Sequence, residues 1–442
     1  MRSFVLSTSL FLALYGSTFA QQIENSHTTE SLRGVSAVSR QIAWASGTHG
    51  TYLRTIDGGR TWLPAQVPDA AALDFRAVVA FSPDEAFLMS AGPGDQSRIY
   101  HTSDGGQHWQ LQFTNTNPKG FFDSMMFWDA KHGLVLGDPI PDESGKLKFE
   151  LLLTDDGQTW RSIPAPQLPP ALEGEGAFAA SNSCIAILPS IATWKIGASV
   201  PRNSPASTNS KNVSASNPPG GTNSKNAPAP NLSISTNGKG TTSSRAVRPR
   251  ESNGALAPEG ADLDPNIWFA TGGKVARVFH SADRGQSWQV SDTPIIHGPE
   301  SAGIFSIAFR DAMHGVIAGG DYKHPDQDGP NLAFTEDGGQ TWTLSSLHPL
   351  AYFSAVAYDR KGNDEASQEQ TAAVKKKTIA KPTTPERLFI VGQDFVFDFR
   401  PPTSPRRISP KKKLGIKFNA VSSYPEGGVL IVGSKGAIVA IP

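Results

Sequence analysis

Arginines, carboxylates and aromatic residues lie just before or just after short apolar runs at several places in this chain, and they are the side chains best suited to bind or transform a ligand. Two carboxylates can hydrolyse a glycosidic bond when one acts as acid and the other as base or nucleophile. Arginines bind carboxylates through paired hydrogen bonds, and aromatic rings offer stacking surface. The candidate residues are Arg33, Arg76, Asp123, Asp138, Glu175, Arg277, Phe305, Asp321, Tyr322, Phe353 and Phe418.

A short repeated motif indicates which elements position these candidates. Five segments of eight residues carry Asp, Gly and Trp at their third, fifth and eighth positions. In such a turn the Asp side chain accepts backbone N–H groups, Gly supplies a positive φ, and Trp packs back over a strand. We therefore predict that the motif is structural. The segments are Thr55–Trp62, Thr102–Trp109, Leu153–Trp160, Ser281–Trp288 and Thr335–Trp342.

The motifs recur about every 50 residues, except between Trp160 and Trp288, where the interval is more than twice as long. Residues from about 197 to 264 in that interval contain no aromatic residue and consist mainly of Ser, Asn, Pro, Gly, Thr and Ala. Such a segment cannot bury enough apolar surface to offset the entropy lost on ordering. We predict a disordered insertion there and a second one at about 361–386, which contains the lysine run Lys375–Lys377.

Short alternating strands with turn glycines at this period predict an all-β fold, a seven-bladed β-propeller. We count seven opening strands, the fourth being Ala177–Ser181, and assign residues 21–442 to one propeller domain. The seventh repeat reaches Pro442 with only three strands. We therefore expect residues 22–30 to supply its outer strand, which closes the ring and protects the sheet edges.

In a propeller, first strands begin and second strands end on one face, while the repeated turns join third and fourth strands on the opposite face. Arg277 opens a third strand, and Asp138 and Asp321–Tyr322 follow second strands. These residues should surround the mouth of the central channel and form a ligand site. In the alternative reading, arginines and carboxylates only pair with one another and line a wet channel. When the seven opening strands are aligned by their apolar runs, one equivalent position is occupied in turn by Arg33, Arg76, Asp123, Glu175, Phe305, Phe353 and Phe418.

The amino-terminal residues indicate export. Arg2 precedes an apolar run from Phe4 to Tyr15, and Ser17–Ala20 has the small residues of a cleavage site. We expect a signal peptide, residues 1–20, cleaved after Ala20, and a periplasmic or extracellular mature protein without a membrane-spanning segment.

Composition restricts the partners. The formal net charge of zero offers no global field for nucleic acid. The single cysteine, Cys184, excludes disulfides within the chain and cysteine-based metal clusters. We predict a monomer with no metal and no cofactor.

The repeated motif resembles the Asp-box of the bacterial neuraminidase repeat. Together with the period near 50 and the Phe75–Val78 opening, it makes nearly the whole mature chain resemble the photosystem II stability and assembly factor family. That resemblance implies an exported seven-bladed propeller that binds partner proteins. The sixth repeat departs from the pattern, because Gln393–Arg400 replaces an Asp-box.

We predict that the channel rim binds a protein or peptide segment, or a small polar ligand such as a glycan, without catalysis. The alternative that stays open is a sialidase-like or other glycoside hydrolase. In the sialidase alternative, Arg33, Arg76 and Arg277 would bind a carboxylate, Tyr322 with Glu175 would be the nucleophile pair, and Asp123 would be the acid. The sialidase Arg-Ile-Pro motif is missing, and Leu32–Val35 stands in its place. Asp123, Asp138 and Glu175 would provide the carboxylates of any other glycosidase.

Overall fold

Among the residues that the computed structural model describes, the regular structure is short β-strands joined by turns, with one 3₁₀ helix. The structure describes residues 22–164, 168–188, 265–347, 351–360, 387–400, 406–408 and 415–442. The expected signal peptide, its cleavage after Ala20, and the predicted insertions at 197–264 and 361–386 lie outside the described residues.

Seven antiparallel sheets form within the described ranges, and the prediction of an all-β, seven-bladed propeller is confirmed. Their strands, from inner to outer, are Leu32–Ala37, Ala43–Gly47, Thr51–Thr55 and Leu63–Gln66 in blade 1; Asp74–Ala80, Ala86–Ala91, Arg98–Thr102 and Gln110–Thr114 in blade 2; Phe122–Phe127, Gly133–Pro141, Leu147–Thr154 and Arg161–Ser162 in blade 3; Ile185–Leu188, Asn266–Ala270, Arg277–Ser281 and Gln289–Asp292 in blade 4; Ala302–Phe309, Gly315–Asp321, Leu332–Thr335 and Thr343–Leu344 in blade 5; Phe353–Tyr358, Leu388–Gly392, Phe395–Phe399 and Arg406–Arg407 in blade 6; and Phe418–Ser423, Val429–Gly433, Ile438–Ile441 and Gln22–Glu24 in blade 7. Two short strands, Glu175–Gly176 and Gly272–Gly273, extend the inner edge of blade 5, and a 3₁₀ helix spans Gly94–Gln96.

The core lies between neighbouring blades. Every residue of the second strands Ala86–Ala91 and Gly315–Asp321 is buried, because each blade is covered on both faces. This explains why second strands are continuous apolar runs rather than alternating ones. Aromatic residues fill the wedges, and the rings of Phe87 in blade 2 and Phe127 in blade 3 lie 4.4 Å apart.

The ring is closed by the amino-terminal strand, as expected from the sequence. Gln22–Glu24 pairs antiparallel with Ile438–Ile441, so blade 7 combines both ends of the described chain. Glu24 Oε2 also accepts a hydrogen bond of 2.6 Å from Nε1 of Trp62, which belongs to blade 1. Burial raises the pKa of Glu24, and the bond from Trp62 partly opposes that rise. The closing strand therefore joins two blades as well as completing one.

The five repeated turns share one hydrogen-bond pattern, with a variation in the third. In the first, Asp57 accepts the hydroxyl of Thr55 (2.9 Å) and both the backbone N–H (2.9 Å) and hydroxyl (2.5 Å) of Thr61. These bonds lower the pKa of Asp57 to about 2. In the third turn the aspartate with this role is Asp156 rather than the aligned Asp155, because the turn is one residue shorter.

Blade 4 corrects one prediction. Its inner strand is Ile185–Leu188, and Ala177–Ser181 forms no strand. Asn182 has φ 56°, a left-handed conformation that interrupts extended backbone. Residues 177–184 are consequently the last part of a long connection from blade 3, and the strand begins only where Ile185 pairs with Phe269.

Replacement of Trp342 by Ala should lower the free energy of unfolding by about 3–5 kcal/mol, because it leaves a cavity at a blade interface. Trp342 is 9% exposed, packs against blade 4 and donates from Nε1 to Ser291 Oγ at 3.3 Å. Leu344→Ala, two residues further along at an exposed position, is the matched control and should change stability little. Urea unfolding of both variants measures this; equal losses would contradict the assigned role of the tryptophan.

Candidate functional site

A β-bulge near the start of the first strand sets the geometry of the channel rim, by which we mean the bulge residues together with Asp138 and Asp321–Tyr322. In six blades of the described chain the pairing between first and second strands skips one residue at this point. A bulge leaves its extra residue unpaired and redirects the side chain. The bulge residues are Arg33, Arg76, Asp123, Phe305, Ser354 and Asn419. Asp138 lies within the second strand of blade 3, at a register shift, and Asp321 is the last residue of the second strand of blade 5, so neither follows its strand as predicted.

The predicted alignment was therefore correct for four residues and one position early in blades 6 and 7. Phe353 and Phe418 occupy the paired position before the bulge and are each only 1% exposed, so they belong to the core between blades. At the bulge positions of these two blades, the residues that the sequence reasoning missed are Ser354 and Asn419. Ser354 donates to the carbonyl of Phe418 at 2.6 Å, and Asn419 donates to the carbonyl of Leu32 at 2.6 Å. Both side chains connect one blade to the next.

Two arginines of the rim share a single carboxylate. Arg33 Nε lies 3.3 Å from Asp74 Oδ1, and Arg76 Nε lies 3.0 Å from Asp74 Oδ2. Burial lowers the pKa of Arg33; Asp74 opposes that effect and Arg76 adds to it. Within the described residues the Nη nitrogens of Arg33 have no hydrogen-bond partner. The pair therefore carries more positive charge than Asp74 balances.

Glu175 and Arg277 form a separate, buried ion pair. Arg277 donates from Nε (2.9 Å) and Nη2 (2.5 Å) to the Glu175 carboxylate, whose side chain is fully buried. The same carboxylate accepts the hydroxyl of Thr271 at 2.7 Å and the backbone N–H of Leu172 at 2.8 Å. Glu175 thus lies in the short strand paired with Gly272–Gly273, not at the predicted ring position, and its hydrogen-bonding capacity is used within the fold.

Asp123 and Asp138 form an acidic pair beside Arg76. Asp123 is 1% exposed, and its Oδ2 has no hydrogen-bond partner among the described residues. Burial raises its pKa well above the ordinary value; Asp138 raises it further, and Arg76 opposes the rise. Burial also raises the pKa of Asp138, against a hydrogen bond of 3.0 Å from the Ala177 N–H.

Residues 177–181, which we call the strap, bridge the rim. The strap is bonded to Asp138 at the Ala177 N–H and to Arg76 Nη1 at the Ala179 carbonyl (2.6 Å). Between them the ring of Phe178 stacks on Phe305, with centroids 4.0 Å apart. Part of the rim predicted to be open is consequently covered by the chain itself.

The aromatic side of the rim differs from the prediction for the same reason. Phe305 is only 2% exposed, because Phe178 covers it and the edges of Tyr322 and Tyr352 approach it. Tyr322 is 49% exposed and offers the stacking surface that the sequence assigned to Phe305. Tyr352 was missed, although it directly precedes an apolar strand.

Asp321 is a poor ligand group in this arrangement. Its carboxylate accepts the Lys323 N–H at 2.9 Å and lies 2.8 Å from His324 Nδ1. Burial opposes ionisation, but bonds from His324, Ser301 and Lys323 lower the pKa of Asp321 overall. Its oxygens stabilise the loop after the second strand of blade 5.

The contacts do not assemble the sialidase-like arrangement. Arg277 is bound to Glu175, whereas Arg33 and Arg76 meet at Asp74, so the three arginines do not converge on one site in the described chain. No group of three or more histidine, cysteine, aspartate or glutamate side chains with metal-binding geometry occurs in the described ranges. No described helix is long and apolar enough to cross a membrane.

Comparison with known proteins identifies the fold. No protein-family model matches the sequence, and no curated protein matches it. Among solved structures, YCF48 bound to D1 peptide has a TM-score of 0.53 and 14% identity, over 95% of this chain and 96% of that one. Virginiamycin B lyase from Staphylococcus aureus has a TM-score of 0.50 and 10% identity, over 95% of this chain and 98% of that one. At these identities the likeness concerns the fold alone, and one of these neighbours is a lyase while the other is a peptide complex.

Glu175→Ala should lower the free energy of unfolding by about 3–5 kcal/mol, because it leaves Arg277 buried without its partner. Glu173→Ala is the matched control, since Glu173 is 91% exposed and pairs with an exposed lysine, Lys274. It should change stability by less than about 0.5 kcal/mol. Thermal and urea unfolding measure both variants. A Glu175→Ala protein of unchanged stability would contradict the structural role and return Glu175 to the list of ligand groups.

Proposed function

We propose that this protein is an exported scaffold that binds a protein or peptide segment at the channel rim, and that Arg33 and Arg76 bind an acidic group of that segment. The observation that carries the proposal is the sharing of Asp74 by two guanidinium groups. One carboxylate cannot neutralise two arginines. A second carboxylate, from a ligand, would complete the cluster.

The chemistry of the rim favours a peptide over a simple anion. Guanidinium groups hold carboxylates through paired, charge-assisted hydrogen bonds, and partial burial reduces competition from water. The side chains of Arg33 and Arg76 are each 27% exposed, which combines access with partial desolvation. Tyr322 adds half-exposed aromatic surface on the same face. A segment with an acidic end and an apolar or aromatic neighbour matches both features.

One structural neighbour is consistent with this ligand class. YCF48 carries a bound D1 peptide in the solved structure, so a propeller of this fold can present a peptide-binding surface. Export is proposed from the signal-peptide pattern of residues 1–20. Cleavage after Ala20 would keep the whole closing strand Gln22–Glu24 in the mature protein.

Capture from envelope extract tests the proposal. Wild type should retain a discrete partner, and the double variant Arg33→Ala, Arg76→Ala should lose it, because the paired donors for the acidic group are gone. The matched control is Arg60→Ala, Arg161→Ala, which removes the same charge from exposed arginines away from the rim. Capture should also weaken with added salt.

Equal capture by all three proteins, each verified as folded by thermal melting, would refute the arginine site. The hydrolase alternative has its own test, since a carboxylate-dependent glycosidase should turn over an activated aryl glycoside or sialoside and lose activity on Asp123→Ala. We expect no turnover by the wild type. Turnover that Asp123→Ala abolishes would replace the binding proposal with the enzymatic one.

A further inference from the structure

The strap is held at the rim by side chains of opposite charge from two blades. Asp138 of blade 3 accepts the Ala177 N–H at 3.0 Å, and Arg76 of blade 2 donates to the Ala179 carbonyl at 2.6 Å. Phe178, between these two bonds, lies on Phe305 of blade 5 and close to the backbone of Gly272 and Gly303, where a Cβ would not fit. The strap is therefore held by both bonds and by one aromatic stack, and Ser181 Oγ adds a long hydrogen bond of 3.5 Å to the Phe305 carbonyl.

Asp123 is the bulge residue after Phe122, which pairs with Gly137, the neighbour of Asp138. Its Oδ2 is buried and has no partner in the described chain. The charged groups that act on it are Asp138, which raises its pKa, and Arg76, which lowers it, and Asp123 acts in turn on the thiol of Cys184. A buried carboxyl without donors is stable when protonated and unfavourable when ionised.

We propose that Asp123 is a proton-operated latch for the strap. When Asp123 is protonated, Arg76 stays on Ala179, Asp138 stays on Ala177, and the strap covers this part of the rim. When Asp123 loses its proton, the new charge attracts Arg76 and repels Asp138. Both bonds to the strap weaken, water reaches Asp123, and the rim becomes accessible. The latch controls access to the part of the rim under the strap; because ionised Asp123 also draws Arg76 toward itself, the latch is stated apart from the acidic-group site of the proposed function.

The direction of the pH effect follows from the environments of the two states. Burial, and then Asp138, raises the pKa of Asp123 in the closed state, although Arg76 opposes this. Opening admits water and returns the group toward its ordinary pKa of about 4. The closed state therefore binds more protons than the open state. Closure is strongest in acid and weakens as pH rises toward and through the raised value.

Cys184 provides a probe that needs no ligand. It is the only cysteine of the chain, it is fully buried, and its thiol contacts the backbone of Phe178 in the strap. Its rate of modification by a small thiol reagent should be measured from pH 5 to pH 8. The thiolate is the reactive form, and its fraction rises with pH even when the site does not open. We therefore divide the rate for the folded protein by the rate for the same protein in concentrated urea at the same pH. The quotient then reports exposure of the site.

For wild type we expect the quotient to rise with pH, by at most about tenfold per unit for each proton released on opening, because burial raises the pKa of both Asp123 and Asp138. Asp123→Asn keeps the size of the side chain and removes its titration, so its quotient should rise less steeply with pH than that of wild type, with Asp138 the remaining buried carboxyl at the strap. Asp95→Asn, at an exposed carboxylate, is the control for a change of charge alone and should follow wild type. Phe178→Ala should give a high quotient at every pH, because the stack is lost.

A level quotient in wild type would overturn the latch, and so would an Asp123→Asn protein that keeps the wild-type slope. If Asp123→Asn fails to fold, the wild-type profile and Phe178→Ala still decide the question. Since no partner is present, a negative result here leaves the peptide-binding proposal standing. Loss of the arginine-dependent capture would likewise leave the latch to be judged by this measurement.

Discussion

The rest of this structure depends on closure of the ring. Each blade has two apolar faces and can bury both only when neighbours stand on either side, so an open array would expose the outer faces of its first and last blades. The strand Gln22–Glu24 prevents this by pairing with Ile438–Ile441, while Glu24 receives the indole N–H of Trp62. Inner strands contact their neighbours around the full circle, including those of blades 7 and 1.

The same closure produces the rim. Inner strands crowd together at the centre, and a bulge at the start of the strand releases one side chain from the pairing pattern. In blades 6 and 7 that side chain connects adjacent blades, as Ser354 and Asn419 do. In blades 1 to 3 it is Arg33, Arg76 or Asp123, and the charges gather on one side of the ring. The asymmetry of the rim therefore follows from the different residue types that the blades carry at the bulge position of the first strand.

Much of the fold was predictable from sequence because the repeated turns recur at a regular interval, and each turn encodes its own hydrogen bonds. The closing strand followed from a blade that lacked its fourth strand. Three features were not predictable from the pattern of apolar residues. A bulge adds one residue to a strand without changing the apolar pattern of that strand. The sequence alignment therefore selected Phe353 and Phe418, one position before the bulge residues Ser354 and Asn419. The pairing of Glu175 with Arg277 joins residues 102 positions apart. The strap, residues 177–181, precedes blade 4 as a short run of mostly apolar residues, which resembles an opening strand in hydrophobicity although no strand forms there.

The central claim is that partners meet the rim and not the face that bears the repeated turns. Tyr322 at the rim and Met313, next to the turn between the first two strands of blade 5, are both 49% exposed, which makes them a matched pair of positions for a photo-crosslinking amino acid. The account predicts a discrete cross-linked partner in envelope extract from position 322 and none from position 313. A partner cross-linked from position 313 alone would contradict it.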